Sequence, residues 1–171
     1  MRYAVALAVS FLFLSSPALA QTNPWELGKK AAGGAAVGKL EQEINKRLLD
    51  ESRKNQCSFK TDSDELQKGC DPKARRLANA LVDAKKRLKS AGVQNFKFEV
   101  SGHTDSSGSA AHNKELSQRR AEKMKGELAA KGVPDGEIVA VGMGSERPAV
   151  KPDDTAAKKA KNRRYEVQVR L

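Results

Sequence analysis

The spacing of hydrophobic positions changes several times along this chain, and each change predicts a different element. Between Pro72 and Gly92 apolar residues recur every three or four positions, which predicts a helix with Asp71 as its N-cap. From Phe96 to Ser101 apolar and polar residues alternate, which predicts a half-buried strand. The same patterns predict a helix over 113–131 and strands over 57–61, 138–141 and 165–171.

The order of these elements is β-α-β-α-β-β. It predicts an α/β fold, an α+β sandwich with helices on one face of a small mixed sheet. This domain is expected to occupy residues 57–171, after a helical N-terminal extension over 21–56. Residues 102–112 form a loop rich in Gly, Ser and Asp, and residues 144–161 are expected to form a basic connector.

The N-terminus has the features of a secretory signal peptide. A short positive region precedes an uncharged apolar run, Ala4–Leu14, which is too short to span a bilayer comfortably. The sequence Ala18-Leu19-Ala20 then matches a cleavage site. Residues 1–20 are therefore predicted to be removed, so that an exported mature chain starts at Gln21.

The extension after the signal peptide has two interpretations. Residues 24–54 have the composition of a helix with a narrow apolar stripe, whereas their glycine-rich first half is equally compatible with a solvated arm. Trp25 lies near the mature N-terminus. Residues 24–54 are candidates for contact with an envelope protein or a membrane, and the sequence does not decide between them.

Export changes how the two cysteines, Cys57 and Cys70, are interpreted. In an oxidising compartment a local disulfide is the default for such a pair. A metal site is poorly supported, because neither a third cysteine nor a histidine lies close to them in the sequence. We expect neither a metal nor a cofactor.

The charge of the chain indicates an anionic partner. There are 32 Lys plus Arg against 21 Asp plus Glu, a formal charge of +11. Nucleic acid, an anionic membrane face and an acidic wall polymer all fit this surplus. Export argues against nucleic acid as a partner, and so does the pattern of Phe96 and Phe98, which alternate as core residues and leave no exposed aromatic face.

The second predicted helix carries a charged residue on its packed side. Leu116, Ala121 and Met124 define the apolar arc of that helix, and Arg120 falls inside it. A buried guanidinium is costly unless an anion meets it, so Arg120 needs a carboxylate from the protein or from a ligand. Asp105 in the preceding loop can face it, and the pattern is compatible with either a structural ion pair or a ligand site.

Three separated motifs resemble those of a known family. The first motif combines Gly102-His-Thr-Asp105, Asn113 and Leu116-Ser-Gln-Arg-Arg-Ala121. The second is Gly142-Met-Gly-Ser-Glu-Arg-Pro148, and the third is Asn162-Arg-Arg164, just before the last strand. In this order they resemble the OmpA-like C-terminal domain. That family includes the peptidoglycan-associated lipoprotein Pal and the periplasmic domain of the flagellar stator protein MotB. The resemblance covers residues 57–171 and leaves the N-terminal extension outside.

The resemblance implies noncovalent binding of peptidoglycan at the diaminopimelate of its peptide stem. It also implies a place in the periplasm, at the outer membrane or wall of a Gram-negative bacterium, and a role in localising an envelope component there. Asp105 would receive the ammonium group of diaminopimelate, and Arg120 would pair with its carboxylate, as a zwitterion requires. Further ligand contacts are expected from Ser107, Asn113 and Arg163, and supporting roles from Gly102, Thr104, Gly108, Asn162 and Arg164.

Two other functions are weaker alternatives. An exported wall-associated hydrolase could use His103, Asp105 and the nearby serines. However, the sequence has no nucleophile-elbow motif, and no third metal ligand lies in reach of the H-x-D pair. An enzyme is therefore not predicted. A basic, nonspecific polyanion binder would need only the surplus positive charge.

Overall fold

The computed structural model of the protein describes residues 33–60 and 62–171, in which helices pack against one face of a three-stranded sheet. The predicted signal peptide, Trp25 and the first part of the extension lie outside these residues. No helix in the described ranges is both long and apolar enough to cross a membrane. The elements are α1 (Gly34–Lys54), α2 (Cys70–Ser90), β1 (Lys97–Gly102), α3 (Ala110–Ala129), a 3-10 turn (Asp135–Glu137), β2 (Ile138–Gly142), α4 (Ala156–Asn162) and β3 (Tyr165–Arg170).

The central strand is β1, which runs parallel to β2 and antiparallel to β3. Its inward side chains Phe98 and Val100 are fully buried beside Val167 and Val169, and α1, α2 and α3 supply the rest of that core. Burying each of these side chains contributes about 1.5–3 kcal/mol. Side chains on the opposite face, such as Glu99, are only partly buried. The structure therefore confirms the predicted class, a small mixed sheet with its helices on one face.

The first predicted strand, over 57–61, is wrong. The described residues of this stretch form a loop in which Phe59 and Leu66 make only an isolated antiparallel bridge. Lys60 N donates to Glu65 O at 2.9 Å, so the stretch pairs with its own continuation instead of the sheet.

The outer edge of β3 is covered by α1 and the residues that follow it. The side-chain amide of Asn45 accepts from Val169 N at 2.6 Å and donates to Val169 O at 3.2 Å. The side-chain amide of Gln56 likewise accepts from Tyr165 N at 3.1 Å and donates to Tyr165 O at 2.7 Å. Because an exposed strand edge presents unpaired backbone groups, these two amides act as substitutes for a neighbouring strand.

The outer edge of β2 has a similar arrangement. Gln118 of α3 donates through Nε2 to Ala140 O at 3.2 Å, and its Oε1 accepts from Gly142 N at 2.6 Å. Both edges of the small sheet are thus partly satisfied by side-chain amides from helices or from the segment after α1.

The first helix of the predicted domain begins without the expected cap. α2 starts at Cys70 after Gly69, whose φ of 88° lies in the left-handed region, and no side chain caps this end. Asp71 is therefore a residue of the first turn and not the N-cap, which corrects the prediction. Glycine reaches this backbone conformation without steric cost, so it can direct the chain into the helix.

The two later helices differ from the prediction because serine and threonine cap them. α3 begins at Ala110, earlier than predicted, since Ser109 Oγ accepts from His112 N at 3.2 Å. The stretch predicted as a basic connector contains all but the last residue of α4, whose N-cap Thr155 accepts from Lys158 N at 3.2 Å. A hydroxyl in this position satisfies one of the free N–H groups of the first helical turn.

A disulfide joins Cys57 and Cys70. It ties the segment after α1 to the first residue of α2, and both cysteines are buried in the core. Closing a loop of this length stabilises the native state by about 3 kcal/mol in the chain-entropy model, because the unfolded chain loses conformations. Residues 58–69 between the cysteines are called the disulfide loop below.

Helix α3 approaches the sheet so closely that two strand positions have no room for a side chain. A Cβ at Gly102 would overlap the backbone carbonyl of Ser117, and a Cβ at Gly142 would lie 2.6 Å from Gln118 N. The neighbouring atoms belong to the backbone of α3 and cannot rotate away. Glycine at these two positions therefore sets the distance between α3 and the ends of β1 and β2.

We expect Gly102→Ala to lower the free energy of unfolding by about 2 kcal/mol, because the added methyl group must push α3 away from the sheet. Urea denaturation followed by circular dichroism measures this change. The matched control is Gly126→Ala on α3, where nothing lies within 4 Å of an added Cβ. That change should raise stability by about 0.5–1 kcal/mol, since alanine favours the helix. Equal effects at the two positions would contradict the packing constraint.

Candidate functional site

A cleft of about 1150 Å³ opens at the carboxyl end of β1. Its walls come from the disulfide loop, the segment after β1, the start of α3 and the segment between α4 and β3. Asp105, Arg120 and Arg163 are among the charged side chains that line it. Binding residues commonly lie on loops held at the end of a rigid sheet, which makes this cleft the candidate site.

Backbone hydrogen bonds carry the segment after β1 into the wall of the cleft. His103 N donates to Arg164 O at 2.8 Å, and Thr104 N donates to Gly144 O at 2.9 Å. These bonds fix His103 and Thr104, the two residues after β1, to the segments that contain Arg164 and Gly144. Asp105 is therefore placed at the cleft by a rigid support.

The carboxylate of Asp105 is buried and already has two partners. Arg163 Nη1 donates to its Oδ2 at 2.7 Å, and Ser107 N donates to its Oδ1 at 3.0 Å. Burial alone would raise the pKa of Asp105, but the hydrogen bonds from Arg163 and Ser107 outweigh it and the pKa is lowered. Asp105 is thus ionised at neutral pH.

The guanidinium of Arg120 is held by the disulfide loop. The residue is only 7% exposed, its Nε donates to Ser63 O at 2.9 Å and its Nη2 donates to Lys60 O at 3.3 Å. The guanidinium carbon lies 5.1 Å from the centre of the Phe59 ring, within the range of a cation–π contact. Within residues 33–60 and 62–171, no carboxylate lies within ion-pair distance of Arg120, and its Nη1 has no hydrogen-bond partner.

The charges of the cleft act on Arg120 although they do not touch it. Burial and the charge of Arg163 lower the pKa of Arg120, while Asp62, Asp105 and Asp64 oppose this change. Of the two arrangements that the sequence left open, a direct Asp105–Arg120 ion pair is therefore not formed. Asp105 pairs with Arg163 instead.

Three other predicted site residues shape the loop after β1. Asn113 Nδ2 donates to Ser107 O at 2.8 Å and to Asp105 O at 3.4 Å. Ser107 Oγ accepts from Lys159 Nζ at 2.8 Å. Gly108 has a φ of 84°, in the left-handed region that favours glycine. The structure thus brings these residues together around Asp105, with Asn113 acting on the backbone of the loop.

The closing motif divides between the cleft and the interior. The Arg163 side chain is 46% exposed and faces Asp105, whereas the Arg164 side chain is 11% exposed and pairs with Glu166 at 2.8 Å. Asn162 accepts from the backbone N–H groups of two residues in the connector and so holds it in place.

Sequence reasoning missed several groups that build the site. The acceptors for Arg120 are the backbone carbonyls of Lys60 and Ser63, which no side-chain pattern can reveal. It also missed Asp153, which accepts from Ser106 N at 2.9 Å and fixes the rim of the cleft. Hydrogen bonds from Ser106 lower the pKa of Asp153 to about 2.

His103 and Thr104 line the cleft with polar atoms that lack hydrogen-bond partners in the part of the chain that the structure describes. Both residues are buried, and His103 Nε2 lies 3.8 Å from Glu166 Oε2. Burial and the nearby charge of Arg164 lower the pKa of His103 to about 4, against a smaller opposing effect of Glu166. His103 is therefore neutral at physiological pH.

No three His, Cys, Asp or Glu side chains in the described ranges come together in a way that could hold a metal ion. The chemistry that the cleft does offer is that of a charged recognition site. Its charged groups include the ionised carboxylate of Asp105 and the guanidinium groups of Arg120 and Arg163, of which only the Arg163 guanidinium is paired with that carboxylate.

Residues 58–163 match the model of the OmpA family. The chain is 51% identical over 71 residues to outer membrane porin F of Pseudomonas fluorescens, a match that covers 42% of this chain and 22% of the porin. It is 48% identical over 68 residues to the peptidoglycan-associated lipoprotein of Haemophilus influenzae, covering 40% of this chain and 44% of the lipoprotein. The matched parts thus span less than half the length of these two relatives.

The fold is similar to that of a solved structure, the peptidoglycan-associated lipoprotein of Burkholderia pseudomallei. The TM-score is 0.54 at 27% sequence identity, and the match covers 67% of this chain and 89% of that chain. The resemblance inferred from the three motifs is therefore confirmed at the level of the family and the fold.

We expect His103 to make the protein less stable as the pH falls from about 6.5 to about 4, which are its ordinary and its folded pKa values. In this window the unfolded chain takes up a proton at His103 and the folded chain does not, so protonation favours unfolding. Urea denaturation at several pH values measures the slope of stability against pH.

His103→Asn should flatten that slope whatever its effect on stability at pH 7. The matched control is His112→Asn, which replaces the other histidine, whose side chain is 45% exposed. If His103→Asn kept the slope of the wild type, the buried neutral state of His103 would be wrong.

Proposed function

We propose that this chain, which belongs to the OmpA family, binds peptidoglycan noncovalently and tethers an envelope component to the cell wall. Two of the proteins that it resembles, from Haemophilus influenzae and Burkholderia pseudomallei, are named peptidoglycan-associated lipoproteins. Most residues that line the cleft lie within the matched range of 58–163. The exceptions are Arg53, Gln56 and Cys57 before it and Arg164 after it.

One observation carries the proposal: Arg120 is buried, lines the same cleft as Asp105 and has no carboxylate within ion-pair distance among the described residues. An unpaired guanidinium in the interior is costly, and the hydrogen-bond acceptors that the disulfide loop gives Arg120 are neutral carbonyl groups. A ligand carboxylate would supply the anion, because guanidinium binds carboxylate through two parallel hydrogen bonds.

A free amino-acid centre carries such a carboxylate together with an ammonium group. Asp105 is ionised at neutral pH because its pKa is lowered, so it can accept the ammonium group while Arg120 takes the carboxylate. The side-chain end of diaminopimelate in the peptidoglycan stem is a centre of this kind. We infer that this end of diaminopimelate is the group bound in the cleft.

The remaining predicted residues have roles that fit this ligand. Arg163 keeps Asp105 in place and adds a second positive charge near Arg120, which strengthens the attraction for a carboxylate. Ser107 lines the cleft with a hydroxyl group, and Asn113 fixes the loop that carries Ser107.

The geometry favours binding over hydrolysis. The pKa of Asp105 is lowered by its hydrogen bonds, so this carboxylate is a poor proton acceptor for general base catalysis at neutral pH. His103 is buried, and none of the described residues accepts from or donates to its ring. A Ser–His pair for nucleophilic attack is therefore not assembled.

The place of the protein follows from the same proposal. An exported chain with a cleaved signal peptide would meet peptidoglycan in the periplasm. The surplus positive charge of the chain would add general attraction to the wall, which salt screens. The contact of residues 24–54 with an envelope protein or membrane stays a prediction.

Sedimentation with purified sacculi tests the site. We expect Asp105→Ala and Arg120→Ala each to reduce the bound fraction at moderate salt by at least about tenfold, because each removes a charge-assisted hydrogen bond to the ligand. The matched control is Arg119→Ala, which removes the same charge from the next residue, where the side chain is 39% exposed and pairs with Glu115. Arg119→Ala should bind as the wild type does.

Two results would contradict the proposal. If the double variant Asp105→Ala/Arg120→Ala still pelleted with sacculi at moderate salt, binding would be nonspecific charge attraction. If Arg119→Ala lost as much binding as Arg120→Ala while Asp105→Ala kept it, the surplus positive charge and not the cleft would account for the binding.

A further inference from the structure

The disulfide loop is a closed unit that is folded on itself. Gln67 N donates to Ser58 O at 2.9 Å, and the Gln67 side chain donates to Phe59 O at 3.2 Å. At its base the Cys57–Cys70 disulfide holds the two Cα atoms 5.0 Å apart. Its shape therefore depends on local bonds and on the disulfide, and not on pairing with the sheet.

Two residues of α3 connect this loop to the rest of the cleft. Arg120 donates to the carbonyls of Lys60 and Ser63, and His112 Nε2 lies 2.6 Å from Asp62 Oδ1. Apart from these, no hydrogen bond within the described ranges joins the loop to α3. The loop and the guanidinium thus fix each other's position.

The loop takes only one side of the guanidinium. Nε and Nη2 donate to the two carbonyls, whereas Nη1 has no hydrogen-bond partner within residues 33–60 and 62–171. A guanidinium has five N–H donors in a planar fork, and the N–H groups of Nη1 and the second N–H of Nη2 form its other end. That free end can receive a carboxylate in a bidentate way while the loop holds the side of the group.

We propose that the disulfide loop is a specificity element of the cleft. By holding the side of the Arg120 guanidinium, it aims the free end at the ligand and so makes the cleft prefer a free carboxylate over an amide. Phe59, the carbonyls of Lys60 and Ser63, and the Cys57–Cys70 disulfide are its positioning groups. This inference rests on the proposed function, since it concerns the ligand carboxylate that Arg120 would bind.

The physical reason is preorganisation. A guanidinium that is already oriented loses little freedom when the carboxylate arrives, and the two carbonyls compensate part of its desolvation. When the loop is loosened, the guanidinium has more orientations. The affinity for a carboxylate ligand should then fall more than the affinity for the neutral amide. An amide cannot accept two parallel N–H bonds as a carboxylate does, so the preference between the two reports on this orientation.

The test uses two soluble probes that differ in one group. They are the stem tripeptide L-Ala-γ-D-Glu-meso-diaminopimelate with the side-chain-end carboxylate free, and the same peptide with that carboxylate amidated. Calorimetric titration gives Kd for each. We expect the wild type to prefer the free carboxylate by about tenfold or more. In Cys57→Ser/Cys70→Ser, checked by thermal melting to be folded at the working temperature, the preference should fall to about threefold.

A milder pair of variants keeps the disulfide. Phe59→Leu removes the ring that faces the guanidinium while retaining an apolar side chain, and it should lower the preference by about threefold. The separate variant Phe59→Tyr keeps the ring and should therefore show the same preference for the free carboxylate as the wild type. A purely structural role would weaken both peptides equally and leave their ratio unchanged.

Unchanged ratios in both Cys57→Ser/Cys70→Ser and Phe59→Leu would overturn the inference while leaving the proposed function intact. The same holds if only the cysteine variant were folded well enough to measure and its ratio were unchanged. If the wild type bound neither peptide, or Arg120→Ala kept the preference for the free carboxylate, the proposed function would fail, and this inference with it.

Discussion

The close contact between α3 and the sheet at Gly102 and Gly142 is the constraint on which the candidate site depends. The backbone of α3 at Ser117 lies where a side chain at Gly102 would have to be. Arg120 follows Ser117 by about one helical turn, Asp105 follows Gly102 by three residues, and both residues line the cleft. The position of Arg120 relative to Asp105 therefore depends on these two positions without side chains.

The small size of the sheet creates a second requirement. Three strands leave two edges with unpaired backbone groups, and side-chain amides meet part of this need: Asn45 and Gln56 on β3, and Gln118 on β2. As a result α1, which precedes the matched range of 58–163, packs against β3 and adds buried side chains to the same core. The disulfide then ties the segment that follows α1 to α2, so the loop that holds Arg120 is anchored on both sides.

Much of the fold could be predicted from periodicity, and the failures have physical reasons. The strands at 96–101 and 165–171 were predicted nearly as observed because an alternating pattern with one buried face is a strong signal. The stretch 57–61 failed because a short segment can pair with its own continuation as readily as with a sheet. The helix within 144–161 was missed because it has seven residues and few apolar ones, so its cap at Thr155 was the main signal for it.

The order of residues was enough to place a guanidinium on the packed side of α3, since helical periodicity depends on nothing else. Residue types at given positions also identified the family and made a Cys57–Cys70 disulfide the default, although the structure was needed to show that pair. Which groups contact these charges depends on how distant segments pack. Asp105 pairs with Arg163, 58 residues away, and Arg120 is held by backbone carbonyls. Every residue carries a carbonyl, so only the packing of distant segments could select those of Lys60 and Ser63.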